Sequence, residues 1–306
     1  MDTVARFGKY TGKAWADVLS TNENYVRWIL CSTESGRSFP GVDAHWISWA
    51  KGLGLQEILS GMSVTDVAKR RARDAMHLPS VARVAWVTKR VGEPLPCPDA
   101  YTPAEYGTFV DYVVRHHTAS GSFCDDRAAK VLADEALAPT PRSLLQSSYE
   151  RCARGATVDV LADLFIVSKA HEFYFSGRWT ETPLCKSHGA GWLASLVAML
   201  AEALPSGQAT SNPVVGTKLP SGKMIRGDAD LLIEDELVEL KATAQLSHEL
   251  IACQVLLYAA LLRKRGKPIL GARVINVATG TMTRADLREW DETELMRWLE
   301  DTLVAW

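Results

Sequence analysis

Residues 227–243 read GDADLLIEDELVELKAT, and this stretch decides the fold. Two apolar, strand-like runs flank an acidic turn, and this pattern predicts a β-hairpin. One strand carries Asp230. The other carries Glu239 and Lys241, which lie two residues apart and therefore share one face of the strand. Because the remaining hairpin residues are mostly apolar, we expect a sheet buried on both sides, in which these charges are poorly solvated.

The three charged residues of this hairpin predict a divalent-metal site. Burying two carboxylates and an ammonium is costly unless they are paired or hold an ion. Carboxylate oxygens suit Mg²⁺, and Mn²⁺ also accepts them. We therefore expect Asp230 and Glu239 to ligate the metal, and Lys241 to orient or activate a water molecule. The alternative is that these charges form the solvated face of an amphipathic hairpin.

A long apolar helix and a further strand are predicted after the hairpin. Residues 247–264 read SHELIACQVLLYAALLRK and place Gln254 and Tyr258 one helical turn apart. Residues 269–277 (ILGARVINV) have the apolar character of a buried strand, and residues 279–281 (TGT) predict the turn that ends it.

This arrangement resembles the PD-(D/E)XK nuclease superfamily, in particular its RecB-like and λ-exonuclease-like branch. The resemblance covers the last half of the chain and rests on three motifs in the family's order: GxxD (Gly227, Asp230), ExK (Glu239, Lys241) and QxxxY (Gln254, Tyr258). It implies an α/β fold with a restriction-endonuclease-like core, in which a central mixed β-sheet is flanked by helices. A mostly helical N-terminal region precedes that core.

The resemblance also implies a function, a metal-dependent nuclease that hydrolyses DNA phosphodiester bonds with Mg²⁺, for which Mn²⁺ can substitute. The catalytic residues would be Asp230, Glu239, Lys241 and Gln254. Gln254 would contact the nucleic-acid backbone or orient Lys241, and Tyr258 would contact nucleic acid or simply pack. By analogy with this branch, we prefer an exonuclease to an endonuclease. The alternatives are an RNA endonuclease on the same fold and a non-catalytic module that binds nucleic acid or protein.

The superfamily takes a further acid or histidine from an earlier helix, and residues 147–172 are the candidate segment. A glycine four residues before Asp159 resembles the family's pattern of a small residue followed by an acid. We expect Asp159 or Asp163 to bind the metal directly or through another ligand, and we assign Asp159 to the metal site. Glu150 is an alternative, and His171 would be the ligand in an RNA endonuclease.

Residues 7–30 read FGKYTGKAWADVLSTNENYVRWIL and resemble a small module at the C-terminus of exodeoxyribonuclease-X-like proteins. Gly8 and Gly12 predict a β-turn or hairpin because glycine adopts dihedrals that other residues avoid. Lys9 and Lys13 stand among aromatic residues, a combination that binds single-stranded nucleic acid through phosphate contacts and base stacking. The alternative is that the aromatic residues form the module's own core.

The 306 residues divide into three predicted parts: a small aromatic and basic module that is a candidate for nucleic-acid binding (1–60), a helical region (61–140) and the nuclease core (141–306). Residues 138–142 (APTPR) are predicted to be a linker. Within the helical region, Thr65 is the expected N-cap of one helix and Pro103 is expected to open another.

Composition restricts partners and location. The hydrophobic content of 47% and charged content of 23% are those of an ordinary globular protein, and the net charge of -2 gives no overall attraction to nucleic acid. Six cysteines without CxxC spacing predict no zinc site and suit a reducing compartment. We expect a cytoplasmic protein, or a nuclear one in a eukaryotic host, that is not secreted and does not bind membranes. We expect nucleic acid as partner, DNA rather than RNA, and the resemblance allows a homo-oligomer.

Overall fold

The structure, a computed structural model, is that of an α/β protein with two compact units. The first unit comprises Met1–Ser60 and Cys124–Glu181, and the second comprises Gly61–Phe123 and Thr182–Trp306. The boundary expected after residue 60 coincides with a division between the units, whereas the one expected after residue 140 falls inside the first unit. The residues that the structure describes are 4–7, 10–21, 25–26, 29–30, 33, 38–52, 62–73, 84–119, 126–155, 159–211, 213–220, 224–245 and 247–304.

The helices and strands follow one another along the whole described chain. In chain order they are α1 (Trp15–Thr21), α2 (Ala44–Gly52), β1 (Met62–Ser63), α3 (Val64–Arg73), β2 (Trp86–Arg90), α4 (Pro103–Thr118), α5 (Asp126–Leu132), α6 (Pro139–Arg154), α7 (Val160–Ser176), α8 (Ala190–Ala203), β3 (Ala209–Ser211), β4 (Val214–Lys218), β5 (Met224–Asp228), β6 (Leu231–Ile233), β7 (Glu236–Lys241), α9 (His248–Lys264), β8 (Gly271–Asn276), β9 (Thr281–Asp286) and α10 (Thr293–Val304). Among these helices, none combines the length and the apolar character that crossing a membrane requires.

The second unit contains a mixed six-stranded sheet in the order β2-β9-β8-β7-β6-β3, flanked by helices, and a three-stranded sheet in the order β1-β5-β4. In the larger sheet β7 and β8 are parallel, and the other neighbouring strands are antiparallel. A parallel pair needs a crossover connection, which α9 provides. The predicted hairpin is confirmed as β6 and β7, with Leu231 opposite Val238 and a tight turn at Glu234, whose φ is 52°.

Helix α9 lies in the hydrophobic core of the second unit. The Ser247 hydroxyl accepts a hydrogen bond from the N–H of Leu250 at 3.4 Å and caps the helix. Every residue from 251 to 262 is buried, as expected for a helix that is apolar all round. The helix packs against α3, β4 and β8. This position brings Gln254 and Tyr258 close to the strand that leads to Asp230.

Two local predictions in other parts of the chain are wrong. Residues 138–142 are no linker, because Pro139 opens α6 and Arg142 donates hydrogen bonds to the carbonyls of Leu132 and Leu137, at 2.9 and 3.0 Å. Thr65 is not the cap of α3. The hydroxyl of Ser63 accepts the N–H of Asp66 at 3.0 Å instead, so the Thr65 hydroxyl is left for a tertiary contact.

Helix α4 begins as predicted at Pro103. The Thr102 hydroxyl accepts the N–H of Glu105 at 3.2 Å, and the Glu105 carboxylate accepts the N–H of Thr102 at 2.8 Å. This reciprocal pair is a capping box, which satisfies two backbone donors that a helix start leaves open. Because these bonds fix the residue at which α4 begins, they also fix the side of the helix from which each later side chain projects.

Candidate active site

The hairpin brings its three predicted charged residues together. Asp230 immediately precedes β6, and its Oδ2 accepts the N–H of Leu240 at 2.7 Å across the hairpin. Glu239 and Lys241 project from one face of β7, and Lys241 Nζ donates to Glu239 Oε1 at 2.6 Å. Glu239 is only 2% exposed, so this ion pair lies largely out of water. The expectation of a solvated hairpin face therefore does not describe these residues.

The pKa values in this cluster show a shortage of positive charge. Burial and the neighbouring Asp230 raise the pKa of Glu239, Lys241 opposes both, and the pKa lies at about 8. Burial also raises the pKa of Asp230, against the effects of Lys241 and the Leu240 N–H. Burial alone would lower the pKa of Lys241, but Glu239 and Asp230 outweigh it and the pKa lies above its ordinary value. Two carboxylates thus share one ammonium, and a further cation would favour their ionised forms.

One oxygen of Glu239 has no hydrogen-bond partner among the described residues. This atom, Oε2, is buried, whereas Oε1 accepts from Lys241. Leaving a buried acceptor unpaired costs on the order of 1–3 kcal/mol, and more when the group is charged. A divalent cation would satisfy this oxygen and supply the missing positive charge. The donor set of Glu239 and Asp230 therefore fits Mg²⁺.

The described side chains do not by themselves form a complete metal cage. No group of three or more His, Cys, Asp and Glu residues within the described ranges is arranged to hold an ion. Mg²⁺ commonly binds through one or two carboxylates and completes its shell with waters and substrate phosphate. A site with two carboxylates is therefore compatible with Mg²⁺ and unlike a closed structural zinc site.

A third carboxylate acts on this cluster from α4. After burial and Asp230, Asp111 is a further cause of the raised pKa of Glu239, and it also favours the charged form of Lys241. Arg115 forms an ion pair with Asp111 one turn along the helix. The Arg115 charge also opposes the rise in the pKa of Asp230 that burial causes. An acid on an earlier helix, Asp111, thus acts electrostatically on this cluster.

The sequence of α4 contains a pattern that marks Asp111, although Asp111 belongs to none of the three motifs. In α4 the acid and the arginine four residues later stand among buried apolar and aromatic residues: Phe109, Val110, Tyr112, Val113 and Val114. The side chains of Asp111 and Arg115 are only 16% and 5% exposed. Two opposite charges on the buried side of a helix are uncommon unless they are paired or serve a site.

Asp159, the early-helix acid predicted from the motif, belongs to the first unit. The segment expected to be one helix is two helices, because Gly155 (φ 65°) ends α6. Asp159 lies just before α7, and its Oδ1 accepts the N–H of Ala162 at 3.1 Å, so it caps that helix. Its role as a metal ligand stays a prediction.

The other early-helix candidates also have partners within the first unit. Asp163 is buried and accepts from Arg151 Nε at 2.9 Å. His171 Nδ1 lies 3.0 Å from Arg127 Nη1. Glu150 pairs with Arg154 on the surface of α6. These contacts explain the residues as parts of the helical packing of that unit.

Gln254 and Tyr258 form a hydrogen-bonded network beside the cluster. Gln254 Nε2 donates to the Tyr258 hydroxyl at 3.3 Å and to the Thr65 hydroxyl at 3.2 Å. Within the described residues no hydrogen bond joins Gln254 to Lys241, so the expectation that Gln254 orients Lys241 is not supported by a direct bond. Tyr258 is 2% exposed, and its ring lies against Gly227. Of the two roles expected for Tyr258, packing and contact with nucleic acid, this position fits packing.

The N-terminal module has the turn that its glycines predicted. Gly12 has a φ of 87°, and its N–H donates to the carbonyl of Ala5 at 2.7 Å. Tyr10 and Trp15 are buried, so these aromatic residues form a core and do not offer faces for base stacking. Lys13 is exposed, with Nζ 5.9 Å from the centre of the Tyr10 ring. Lys9 lies outside the described residues.

Comparisons with known proteins add no assignment to this geometry. No family model, no curated protein and no solved structure matches this chain. The residues of the second unit and the chemistry that they can perform therefore carry the assignment of function.

Proposed function

We propose that this protein is a metal-dependent nuclease of the PD-(D/E)XK type that hydrolyses DNA phosphodiester bonds. One observation carries the proposal: Glu239 is buried beside Asp230 and Lys241 with an unpartnered carboxylate oxygen. Burying such charges lowers stability unless a ligand compensates for it. A scaffold that only binds a partner gains nothing from this arrangement, whereas a site for a cation and a phosphate does.

Asp230 and Glu239 would hold Mg²⁺, and Mn²⁺ could replace it. When bound, the ion would supply positive charge at the phosphate and lower the pKa of a water molecule. Lys241 adds a fixed positive charge, because Glu239 and Asp230 keep it protonated despite burial. Arg115 pairs with Asp111 and limits the excess of negative charge beside the site. Burial of Glu239 keeps bulk water away and strengthens each of these interactions.

The proposal names DNA and prefers an exonuclease because of the motif resemblance, since a metal site does not distinguish the two sugars. A homo-oligomer would suit a processive exonuclease, and the proposal leaves the number of subunits to experiment. An RNA endonuclease and a non-catalytic binding module are the competing outcomes.

The test is cleavage of labelled single-stranded DNA, linear duplex, circular duplex and RNA, with Mg²⁺, Mn²⁺ or chelator. We expect metal-dependent cleavage of linear DNA that falls by at least about 100-fold in Glu239→Gln and Lys241→Met. Lys267→Met is the matched control, because Lys267 is an exposed lysine that precedes the end of β8 opposite to the end that pairs with Lys241. Thermal unfolding should show that Glu239→Gln is still folded, since Asp230 remains as a counter-charge for Lys241. Circular dichroism checks that Lys241→Met is folded.

Each competing outcome gives a different result in this experiment. Cleavage of circular as well as linear duplex indicates an endonuclease, and cleavage restricted to RNA indicates the RNA enzyme. Full activity in Glu239→Gln and Lys241→Met contradicts the proposed site. Binding of nucleic acid without turnover of any substrate would replace the nuclease by the binding module.

A further inference from the structure

Asn276 is a buried polar residue beside Lys241 that no part of the proposed mechanism uses. It ends β8, and it is the register partner of Lys241 in the parallel pair of β7 and β8. Neighbouring strands are about 4.8 Å apart, and register partners project from the same face of the sheet. Asn276 is 4% exposed. Asn276 therefore stands beside Lys241 on one face of the sheet, and its side chain is out of bulk water.

The orientation of the Asn276 amide follows from its hydrogen bond to Thr243. Nδ2 donates to the carbonyl of Thr243 at 2.9 Å. A carbonyl oxygen can only accept, so the nitrogen must face Thr243 and the amide cannot be turned over. Oδ1 then lies on the other side of the group. It is buried, and it has no hydrogen-bond partner among the described residues.

Two buried acceptors without partners in the described part of the chain therefore occupy one region of one sheet face. Asn276 Oδ1 is on β8, and Glu239 Oε2 is on β7, two residues before the register partner of Asn276. Diagonal neighbours of this kind are roughly 7 Å apart at Cα, within reach of one another through their side chains and a small bridging molecule. An unpaired buried acceptor costs on the order of 1–3 kcal/mol. The proposed cation would satisfy Glu239 Oε2, so Asn276 Oδ1 is the acceptor that still lacks a hydrogen-bond donor among the described residues.

The chemistry of these acceptors selects the kind of donor. A phosphate diester offers only acceptors, so it cannot satisfy a carbonyl oxygen. A water molecule beside the proposed cation can donate a hydrogen to Asn276 Oδ1. We propose that Asn276 is a further catalytic residue, whose Oδ1 accepts a hydrogen bond from the attacking water. This role rests on the proposed nuclease function and assigns that site a residue outside its three motifs.

The step in which Asn276 takes part is ordinary hydrolysis. The water oxygen forms a bond to phosphorus as the bond from phosphorus to the leaving sugar oxygen breaks. One water proton passes to solvent, and the leaving oxygen takes one from solvent. The hydrogen held by Oδ1 stays on the new phosphate oxygen. The amide takes no proton, and its contribution is to hold the water with a lone pair directed at phosphorus.

The test compares Asn276→Leu with wild type in Mg²⁺-dependent cleavage of linear duplex DNA. We expect kcat to fall about 100-fold, because a misplaced nucleophile loses that much rate. KM and the Mg²⁺ concentration for half-maximal rate should change less than about 2-fold, because the residue binds neither DNA nor metal. Thr283→Val is the matched control in the same sheet, since it removes a hydroxyl that pairs with Thr88 at 2.9 Å.

A second measurement keeps the test decisive if Asn276→Leu does not fold. In a crystal structure of the wild-type protein with Ca²⁺ and a short DNA duplex, a water molecule should lie about 3 Å from Asn276 Oδ1. Oδ1 bonded to Lys241 instead would overturn the inference, as would an unchanged kcat in the variant. A parallel loss of kcat and thermal stability would make the residue structural. If wild type cleaves no substrate, the proposed function and this role fall together.

Discussion

Gly227 lies directly against the ring of Tyr258. A Cβ built on Gly227 would stand 2.7 Å from Cε1 of Tyr258 and 3.3 Å from its hydroxyl oxygen. The glycine of GxxD and the tyrosine of QxxxY are therefore two halves of one contact. Because Gly227 is three residues before Asp230, the packing of this ring on β5 helps set where the carboxylate enters the site.

The contact predicts the effect of adding one methyl group. Gly227→Ala should destabilise the protein by about 1–3 kcal/mol, because a contact of 2.7 Å would force the buried Tyr258 ring or β5 to shift. Urea denaturation measures this change. Gly107→Ala is the control, since a Cβ there meets no described atom within 4 Å and Gly107 lies inside α4. The control should be stabilised by up to about 1 kcal/mol.

A double variant separates this contact from a general effect at β5. If the methyl group clashes with the ring, then Tyr258→Leu in the Gly227→Ala background should cost less than Tyr258→Leu in wild type. Equal costs in both backgrounds would show that the two residues act independently, and the shared-contact explanation of the two motifs would be wrong.

Breaking the Asp111–Arg115 ion pair should lower the stability of the protein more than breaking a surface ion pair of the same spacing. Asp111→Asn should lower stability by about 1–3 kcal/mol, because it removes the counter-charge that pairs with the buried Arg115 guanidinium. Cleavage should fall by at least about 10-fold if this acid serves the site. Unfolding curves and kcat measure the two effects.

Glu150→Gln is the control for this variant. Glu150 and Arg154 form an ion pair at the same spacing in α6, but their side chains are 49% and 67% exposed. Exposed pairs contribute well under about 1 kcal/mol, and this one lies in the other unit. Because the side chains of Asp111 and Arg115 are largely buried, we expect a larger loss of stability in Asp111→Asn than in Glu150→Gln. Similar small losses in both variants would contradict this expectation.

The Thr65 hydroxyl predicts a coupling between α3 and α9. Thr65→Val keeps the shape of the side chain but removes the acceptor for Gln254 Nε2, and it should cost about 1–2 kcal/mol in urea denaturation. In a Gln254→Leu background the same substitution should cost less, because the Gln254 donor is then absent and only the Tyr258 hydroxyl still bonds to Thr65. If Thr65→Val costs the same in both backgrounds, the hydroxyl has no energetic link to Gln254.

His188 predicts a loss of stability in mild acid. The side chain is 3% exposed and stacks on Tyr101 and Tyr106, and burial lowers its pKa to about 4. An unfolded histidine has a pKa near about 6.5, so the unfolded chain binds the proton first as the pH falls. The contribution is therefore complete above about pH 6.5, and roughly 2 kcal/mol of it should be lost by pH 5.

The measurement is the difference in unfolding free energy between pH 7.5 and pH 5, compared with that of His188→Phe. In the variant, the fall in unfolding free energy between pH 7.5 and pH 5 should be smaller by the part that is due to His188. Tyr101 and Tyr106 stay neutral here, because burial raises the pKa of both. His248→Phe, at an exposed histidine, should keep the wild-type slope. An equal slope in His188→Phe and wild type would contradict a buried neutral His188.

Local patterns in the sequence determined much of the second unit. The alternation of charge in residues 236–241 put Glu239 and Lys241 on one face, because side chains alternate along a strand. The apolar run of residues 247–264 specified a buried helix. These features depend on residues close together in the chain, and the regular repeat of a strand or a helix determines which of their side chains share a face.

Only the tertiary structure decided which distant residues join the hairpin. An acid on a helix looks the same in sequence whether it caps a helix, as Asp159 does, or faces a buried cluster, as Asp111 does. Thr65 and Asn276 likewise became visible only through the packing of α9 and the parallel register of β7 and β8. Such contacts depend on how helices and strands pack, and the spacing of apolar residues in the sequence does not encode that packing. The residues of each motif, by contrast, lie within a few positions of one another in the chain.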